Sequence, residues 1–248
     1  MNSVSDIFKM RGRKLAVLID PDKTNSIAKL KSLTEKINFL SPTFIFVGGS
    51  TVEENDFDQC IRQLKSLTKI PLVIFPGAYH HIHPEADGIL FLSLISGRNP
   101  DFLIGHQVQS AHRLRQMNVD VIPTGYLLID GGVHSSVAYV SQTTPIPVDQ
   151  VGIAVNTAIA GEMLGLSAIF LDAGSGAKNV VPEKMISAVR QSIKVPLIIG
   201  GGIRNLAHVE SAFQSGADVV VIGNRIEEDS DFLLDLCNVE KTSAGNTL

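Results

Sequence analysis

Three glycine-rich stretches each follow a run of apolar residues in the second half of the chain. They are DAGSGA at 172–177, GGG at 200–202 and GN at 223–224. Glycine costs roughly 0.5–1 kcal/mol relative to alanine inside regular structure, so its repeated use indicates a need for bare backbone. Amide N–H groups that approach a phosphate closely would meet that need, helped by the dipoles of the helices that follow. A tight turn is the alternative reading for any single glycine. We predict a phosphate site formed by Gly174, Ser175, Gly176, Gly201, Gly202, Gly223 and Asn224.

One acidic side chain, that of Asp172, stands at the start of the first of these stretches. A carboxylate is repelled by a neighbouring phosphate unless it has a task of its own, and accepting a proton is such a task. We predict that Asp172 is the catalytic base. The alternative is an aspartate that only caps a turn or a helix.

Two oxygen-bearing side chains end earlier apolar runs, Asp20 in LIDPDK and Ser50 in FVGGS. Mg²⁺ usually takes only one or two protein ligands and completes its shell with water and substrate phosphates. We therefore predict a magnesium position at Asp20 and Ser50, which would hold a second phosphate group. Asp22 is interpreted as a loop or cap residue, and Lys23 as a solvated charge.

Further polar residues follow other apolar runs. Arg98 in SGRNP suits a bidentate phosphate contact, although the same segment could simply start the next helix. Tyr126 in PTGY either donates to a substrate or packs in the core. His81 and His83 have a ligand-like spacing, but with no further ligands apparent we favour a polar loop over a zinc site.

Short apolar runs alternate with segments of helical period along the chain. The strands are predicted at 14–20, 44–50, 71–77, 88–94, 119–130, 168–174, 196–202 and 219–224. Pro123 is a position at which the fifth strand could break. The helices are predicted at 24–40, 53–68, 101–117, 148–165, 182–193, 205–216, with Asn205 as N-cap and Gly216 after the end, and in a short segment ending near Cys237. Continuous apolar strands joined by helices indicate a parallel sheet covered on both faces.

Eight such units close into a (β/α)8 TIM barrel, and 248 residues fit one such domain, 1–248. Only the ten residues 78–87 separate the third and fourth strands, so we predict that the third helix is shortened or replaced. In such barrels the loops after the seventh and eighth strands often bind phosphate, which places GGG and GN at the same end of the barrel.

The net charge of −4 and the lack of a basic stripe argue against a nucleic-acid partner. The N-terminal residues lack the apolar segment of a secretory signal, and no apolar run is long enough to span a bilayer. Cys60 and Cys237 lie far apart and are interpreted as free thiols. These features favour a cytoplasmic protein.

The motifs, in this order, resemble those of the geranylgeranylglyceryl phosphate synthase family. The matching elements lie between residues 15 and 224 and are LIDPDK, FVGGS, SLISGRNP, PTGY, FLDAGSGA, PLIIGGGIR and VVVIGN. The resemblance implies a TIM barrel with a replaced third helix and a Mg²⁺-dependent prenyltransferase. It also implies ether-bond formation between sn-glycerol 1-phosphate and a polyprenyl diphosphate, with geranylgeranyl as the expected chain, and release of pyrophosphate. Some bacterial relatives take longer chains.

The resemblance also implies roles for individual residues. Asp20 and Ser50 match the metal ligands, and the glycerol-phosphate loop YLEAGSG corresponds to Phe170, Leu171, Asp172, Ala173, Gly174, Ser175 and Gly176. Phe170 stands where the family usually has tyrosine, and Asp172 where it usually has glutamate. The turn after the fifth strand, IDGG, also differs from the family's usual Pro-Gly-Gly.

From the resemblance we further expect a homo-oligomer and peripheral contact with a membrane through the lipid product. Two other functional classes are consistent with the same barrel. One is a different phosphate-binding enzyme, either FMN-dependent or similar to thiamine phosphate synthase. The other is a barrel that binds a lipid phosphate without turnover.

Overall fold

The computed structural model describes residues 3–24, 26–236 and 239. Eight parallel strands close into a barrel in which each strand pairs with its neighbours in sequence, and β8 pairs with β1. The strands are β1 Lys14–Ile19, β2 Phe44–Val47, β3 Leu72–Ile74, β4 Gly88–Leu94, β5 Asp120–Leu128, β6 Ala168–Asp172, β7 Leu197–Gly200 and β8 Val219–Ile222. The predicted TIM barrel is thereby confirmed.

Helices pack around this barrel and are, within the described residues, α1 Val4–Lys9, α2 Ile27–Leu40, α3 Glu54–Leu67, α4 His106–Leu114, α5 Ser136–Ser141, α6 Val151–Met163, α7 Glu183–Ser192, α8 Leu206–Gln214, α9 Asn224–Glu228 and α10 Phe232–Asp235. The predicted cap of α8 is confirmed, because Asn205 Oδ1 accepts a hydrogen bond of 2.8 Å from the His208 amide. Gly216 follows the end of α8 with a φ of +106°, as a glycine after a helix commonly does. The predicted end of the last helix near Cys237 lies outside the described residues.

The connection between β3 and β4 contains turns and no helix, as predicted for the third unit. Its two buried histidines hold it in place. His81 Nε2 bonds the Val52 carbonyl oxygen at 2.9 Å, and Nδ1 accepts from the Gly77 amide at 3.1 Å. His83 Nε2 lies 2.9 Å from an oxygen of Asp58 on α3. Both histidines therefore have structural partners, which agrees with the predicted polar loop, and the described residues contain no metal-binding cluster of His, Cys, Asp and Glu.

The fifth strand does not break at Pro123, the position where a break was considered, because β5 runs from Asp120 to Leu128. Pro123 cannot donate a ladder hydrogen bond, but its carbonyl oxygen still accepts one of 2.7 Å from the Ser167 amide. The predicted helix at 101–117 also differs from expectation. Its first turn, Asp101–Gly105, is a π-helix that leads into α4.

Alternating strand residues build two apolar clusters, one inside the barrel and one between the barrel and the helices. The unpredicted helix α1 completes the inner cluster, since Phe8 stacks on Phe44 with 4.6 Å between ring centroids. Phe44 is the first residue of β2, so α1 covers the amino-terminal end of the barrel. The carboxyl ends of the strands are left as the end at which a site can form. Within the described part of the chain, no helix is long and apolar enough to cross a membrane.

Candidate active site

A cavity of about 320 Å³ lies at the carboxyl ends of the barrel strands. Asp20, Tyr126 and Asp172 have the strand parity that faces the barrel interior, and all three line this cavity. Other predicted site residues that line it are Ser50, Phe170, Gly174, Ser175, Gly176, Gly201, Gly202, Gly223 and Asn224. The structure therefore brings most of the predicted metal and substrate residues into one space.

The GGG stretch owes its composition partly to close packing of the loops after β6 and β7. Gly201 and Gly202 have φ values of +79° and +71°, in the left-handed region that favours glycine. A Cβ atom on Gly201 would lie 2.5 Å from Asp172 Oδ1, and one on Gly202 would lie 2.7 Å from the Asn179 carbonyl oxygen. Glycine is thus required for two reasons, because these positions allow no side chain and because the bare backbone faces the cavity.

Side chains tie the three glycine-rich loops to one another. Ser175 Oγ lies 3.2 Å from Asn224 Oδ1 and joins the loops after β6 and β8. Arg204, just after GGG, donates from Nη2 to the Ala177 carbonyl oxygen at 3.1 Å and joins the loops after β6 and β7. Arg204 and Arg225 both line the cavity. Neither arginine was predicted as a site residue. The available signal was their position, since Arg204 follows GGG after one intervening residue, Ile203, and Arg225 directly follows GN.

Asp172 is 7% exposed, and two hydrogen bonds hold its carboxylate. Tyr126 Oη donates to Oδ2 at 2.6 Å, and the Gly174 amide donates to Oδ1 at 2.8 Å. Burial raises the pKa of Asp172, and these two hydrogen bonds act against that rise. Asp172 thus stabilises its own loop, as the turn interpretation expects, and it also presents a carboxylate of raised basicity to the cavity.

Asp20 directly follows β1 and lines the cavity. Its Oδ1 accepts from the Asp22 amide at 3.2 Å, and Lys23 Nζ lies 3.6 Å from Oδ2. The local roles therefore differ from expectation, since Asp20 itself is the cap and Lys23 is its ion-pair partner. Burial raises the pKa of Asp20, while Lys23 acts against that rise.

The donors at Asp20 and Ser50 fit a hard cation such as Mg²⁺. One carboxylate and one hydroxyl line the cavity here. This number agrees with the one or two ligands that a protein typically supplies to Mg²⁺. The surrounding backbone leaves them room only because of glycines, since a Cβ on Gly49 would lie 2.9 Å from Asp20 Oδ1 and one on Gly77 3.0 Å from Ser50 Cα. A cation there would also favour the ionised form of the partly buried Asp20.

Three predicted site residues take other positions. Leu171 and Ala173 have the outward parity and pack in the cluster between barrel and helices. Arg98 does not line the cavity and donates instead to the carbonyl oxygens of Ile95 and Gly97, at 3.3 and 2.6 Å. Its neighbour Asn99 accepts from the Asp101 amide at 3.0 Å, which is the helix-start role that the sequence analysis kept open.

An apolar wall completes the cavity and is formed by β4, the loop after β3 and the π-helical turn before α4. It consists of Phe75, Ile82, Phe91, Leu92, Leu94 and Phe102. The absence of a third helix lets the 75–87 loop contribute to this wall. The sequence did not indicate which apolar residues form this wall, because nearly every strand of the chain is apolar.

The closed barrel of eight parallel strands places the protein in the class of (β/α)8-barrel proteins. The chain belongs to the PcrB family, which it matches over residues 6–241. It is 51% identical over 225 residues to a geranylgeranylglyceryl phosphate synthase of Flavobacterium johnsoniae, covering 90% of this chain and 92% of the relative. It is 45% identical over 237 residues to the enzyme of that name in Chitinophaga pinensis, covering 95% and 94%.

A solved structure gives the same result. The chain superimposes with a TM-score of 0.90, at 30% identity, on (S)-3-O-geranylgeranylglyceryl phosphate synthase from Thermoplasma acidophilum in complex with sn-glycerol-1-phosphate. The match covers 98% of this chain and 99% of that one. The predicted family and the predicted enzyme class, a prenyltransferase, are confirmed. The magnesium ion, the individual site residues, the cytoplasmic location and the homo-oligomer stay predictions.

Proposed function

We propose that the protein transfers a polyprenyl group, most readily geranylgeranyl, from its diphosphate to the C3 hydroxyl of sn-glycerol 1-phosphate. The observation that carries this proposal is that one buried carboxylate, Asp172, lines a single cavity together with three glycine-rich loops and an apolar wall. Names of relatives at 45–51% identity support the same reaction.

The phosphate of glycerol phosphate would dock on the loops after β6, β7 and β8. Gly174, Gly176, Gly201 and Gly202 leave their backbone bare there, and Ser175 adds a hydroxyl. Arg204 adds a positive charge at the same rim. Amides, a hydroxyl and a guanidinium together match the acceptor oxygens and the charge of a phosphate. Holding the acceptor there would place its glycerol part beside Asp172.

Asp172 would act as the general base. As the C3 oxygen forms its bond to the allylic carbon, the bond from that carbon to the diphosphate breaks and pyrophosphate leaves. The proton of the C3 hydroxyl passes to the Asp172 carboxylate. Positioning both substrates in one cavity replaces a bimolecular encounter with an oriented one, and proton acceptance adds a factor of about 10²–10⁴.

Asp20 and Ser50 would hold Mg²⁺, which when bound supplies neutralisation of the charge that develops on a leaving diphosphate. Asp20 fits this task because its carboxylate lines the cavity beside Ser50. Lys23 would assist by contributing a second positive charge near the same oxygens. The wall formed by Phe75, Phe91 and Phe102 with its aliphatic neighbours would receive the prenyl chain, because burying such a chain removes apolar surface from water.

The test is pyrophosphate release by the purified protein with Mg²⁺ and geranylgeranyl diphosphate. We expect turnover with sn-glycerol 1-phosphate and none with sn-glycerol 3-phosphate, and loss of turnover with excess EDTA that added Mg²⁺ restores. The proposal would be contradicted if sn-glycerol 1-phosphate gave no turnover with geranylgeranyl diphosphate or with any other prenyl diphosphate from farnesyl to heptaprenyl. Binding of glycerol phosphate without turnover would then indicate a lipid-phosphate binding protein.

A further inference from the structure

The hydroxyl of Tyr126 donates a hydrogen bond to Asp172, the proposed base. Tyr126 lies on β5 and Asp172 on β6, and the strand register pairs Leu128 with Asp172. Tyr126 is therefore one interior position deeper in the barrel, and its side chain reaches up along the barrel axis. The distance from Tyr126 Oη to Asp172 Oδ2 is 2.6 Å, which is typical of a hydrogen bond from a hydroxyl to a carboxylate.

The Tyr126 ring has little freedom to turn that hydroxyl elsewhere. The residue is 4% exposed. Its ring packs edge-on against Phe170, with centroids 5.5 Å apart, and against Phe75 at 6.0 Å. Phe170 occupies the neighbouring interior position and carries no hydroxyl, so it cannot replace the Tyr126 contact. The aromatic packing thus fixes the direction of a single phenol.

Two neutral donors hold the Asp172 carboxylate. Burial raises its pKa, and the hydrogen bonds from the Tyr126 hydroxyl and the Gly174 amide act against that rise. The elements around it contribute Tyr126 from β5, the Gly174 amide from its own loop, and the bare Gly200 and Gly201 from the end of β7. Two dipoles therefore hold a buried negative charge, and one of them is the Tyr126 hydroxyl.

We propose that Tyr126 is a positioning residue, which orients the Asp172 carboxylate and keeps it ionised, rather than a ligand of either substrate. The inference rests on the proposed function of Asp172 as the base. One hydrogen bond on each oxygen leaves a further lone pair on each for the substrate proton. A fixed direction is needed because an aspartate has only one methylene group with which to adjust its reach.

The first test compares the pH dependence of kcat/KM in the wild type, Tyr126→Phe and the control Tyr139→Phe. Tyr139 is 88% exposed on α5 and undergoes the same chemical change. Loss of a hydrogen bond that favours the ionised carboxylate raises its pKa. We expect the acidic limb of the Tyr126→Phe profile to move about one unit to higher pH and kcat on the plateau to fall about tenfold. KM for glycerol phosphate should change less than about twofold, because a positioning residue does not bind that substrate.

Two results of that test would overturn the proposal. An unmoved acidic limb with an unchanged kcat means that the hydroxyl does nothing for the base. An unmoved limb with a raised KM for either substrate means that Tyr126 is a substrate ligand.

A second measurement does not depend on activity and separates failure of this inference from failure of the proposed function. It is a double-mutant cycle of unfolding free energies for Tyr126→Phe and Asp172→Ala at neutral pH. We expect Tyr126→Phe to cost less in the Asp172→Ala background, since the hydroxyl has already lost its partner. Additive effects would overturn the pairing even in an active enzyme, and coupling would support it even if the wild type proved inactive with glycerol 1-phosphate.

Discussion

Replacing Asp172 by asparagine should separate catalysis from folding. The substitution keeps the size of the side chain and removes the ability to accept a proton at neutral pH. In the structure the asparagine oxygen can accept from the Gly174 amide, which now donates to Asp172 Oδ1 at 2.8 Å. The asparagine NH₂ group then faces Tyr126 Oη, which can accept a hydrogen bond as well as donate one. Both existing contacts therefore have neutral replacements.

The expected loss of activity is large. A positioned general base contributes about 10²–10⁴ to the rate, so kcat should fall by at least about a hundredfold. The affinity for glycerol phosphate should stay within a few-fold of the wild type, since its phosphate is expected to bind the glycine-rich loops and not Asp172. Without the negative charge of Asp172, repulsion of the phosphate is also removed, which favours binding.

The thermal stability of Asp172→Asn, unlike its activity, should not fall below that of the wild type. Burial raises the folded-state pKa of Asp172 above its ordinary value, so the ionised side chain destabilises the fold at any pH above that raised pKa. Protonation removes this cost, and the wild type should gain stability as the pH falls through it. Asp172→Asn removes the cost at every pH. Its melting temperature at neutral pH should therefore equal or exceed that of the wild type, and the difference should shrink on acidification.

The assays are pyrophosphate release for kcat, calorimetric titration for glycerol-phosphate affinity, and thermal unfolding between neutral and mildly acidic pH. Far-UV circular dichroism controls for a folded variant. A kcat within about threefold of the wild type would refute Asp172 as the base. A melting temperature lowered at neutral pH would refute the account of its burial and its hydrogen bonds.

Three further predictions concern the remainder of the site. Asp20→Asn should raise the Mg²⁺ concentration for half-maximal rate at least about tenfold, which is the lower end of the effect of altered metal coordination. A magnesium titration of the rate tests this, and an unchanged midpoint would show that Asp20 is not a ligand. Gly201→Ala should lower the melting temperature by at least about 2–4 °C, because a left-handed φ of +79° costs a residue with a Cβ about 1–2 kcal/mol. The close contact of that Cβ with Asp172 Oδ1 adds to this cost. Thermal unfolding measures the change, and an unchanged melting temperature would contradict the loop packing. Ser175→Ala removes one donor on an exposed loop, so the KM for glycerol phosphate should rise about tenfold. The melting temperature should stay within about 2 °C of the wild-type value. Steady-state kinetics with a varied glycerol-phosphate concentration test this, and an unchanged KM would show that Ser175 only links the loops.

Much of the barrel could be predicted because its signals are local. Each apolar run is long enough to be a buried strand, and each is bounded by turn residues, so the eight strands were found within a few residues of their ends. The shortened third unit was visible because 78–87 is simply too short for a crossover helix. Whether Pro123 breaks its strand could not be decided from the sequence, because the missing amide of one residue is a local property while the pairing of β5 with both neighbours is a tertiary one.

The candidate site divides in the same way. The sequence by itself determined which residues end strands, and parallel strands in a closed barrel must bring those ends together; Asp20, Ser50, Asp172 and the glycine-rich loops follow from that rule. Only the tertiary structure decided which partners those residues meet. The hydrogen bond from Tyr126 to Asp172 joins residues 46 positions apart in sequence and depends on the register of β5 and β6. The need for Gly201 depends on the approach of a neighbouring loop. The position of α1 over the barrel depends on the stacking of Phe8 on Phe44. These contacts are set by distances across the fold, and no spacing along the chain encodes them.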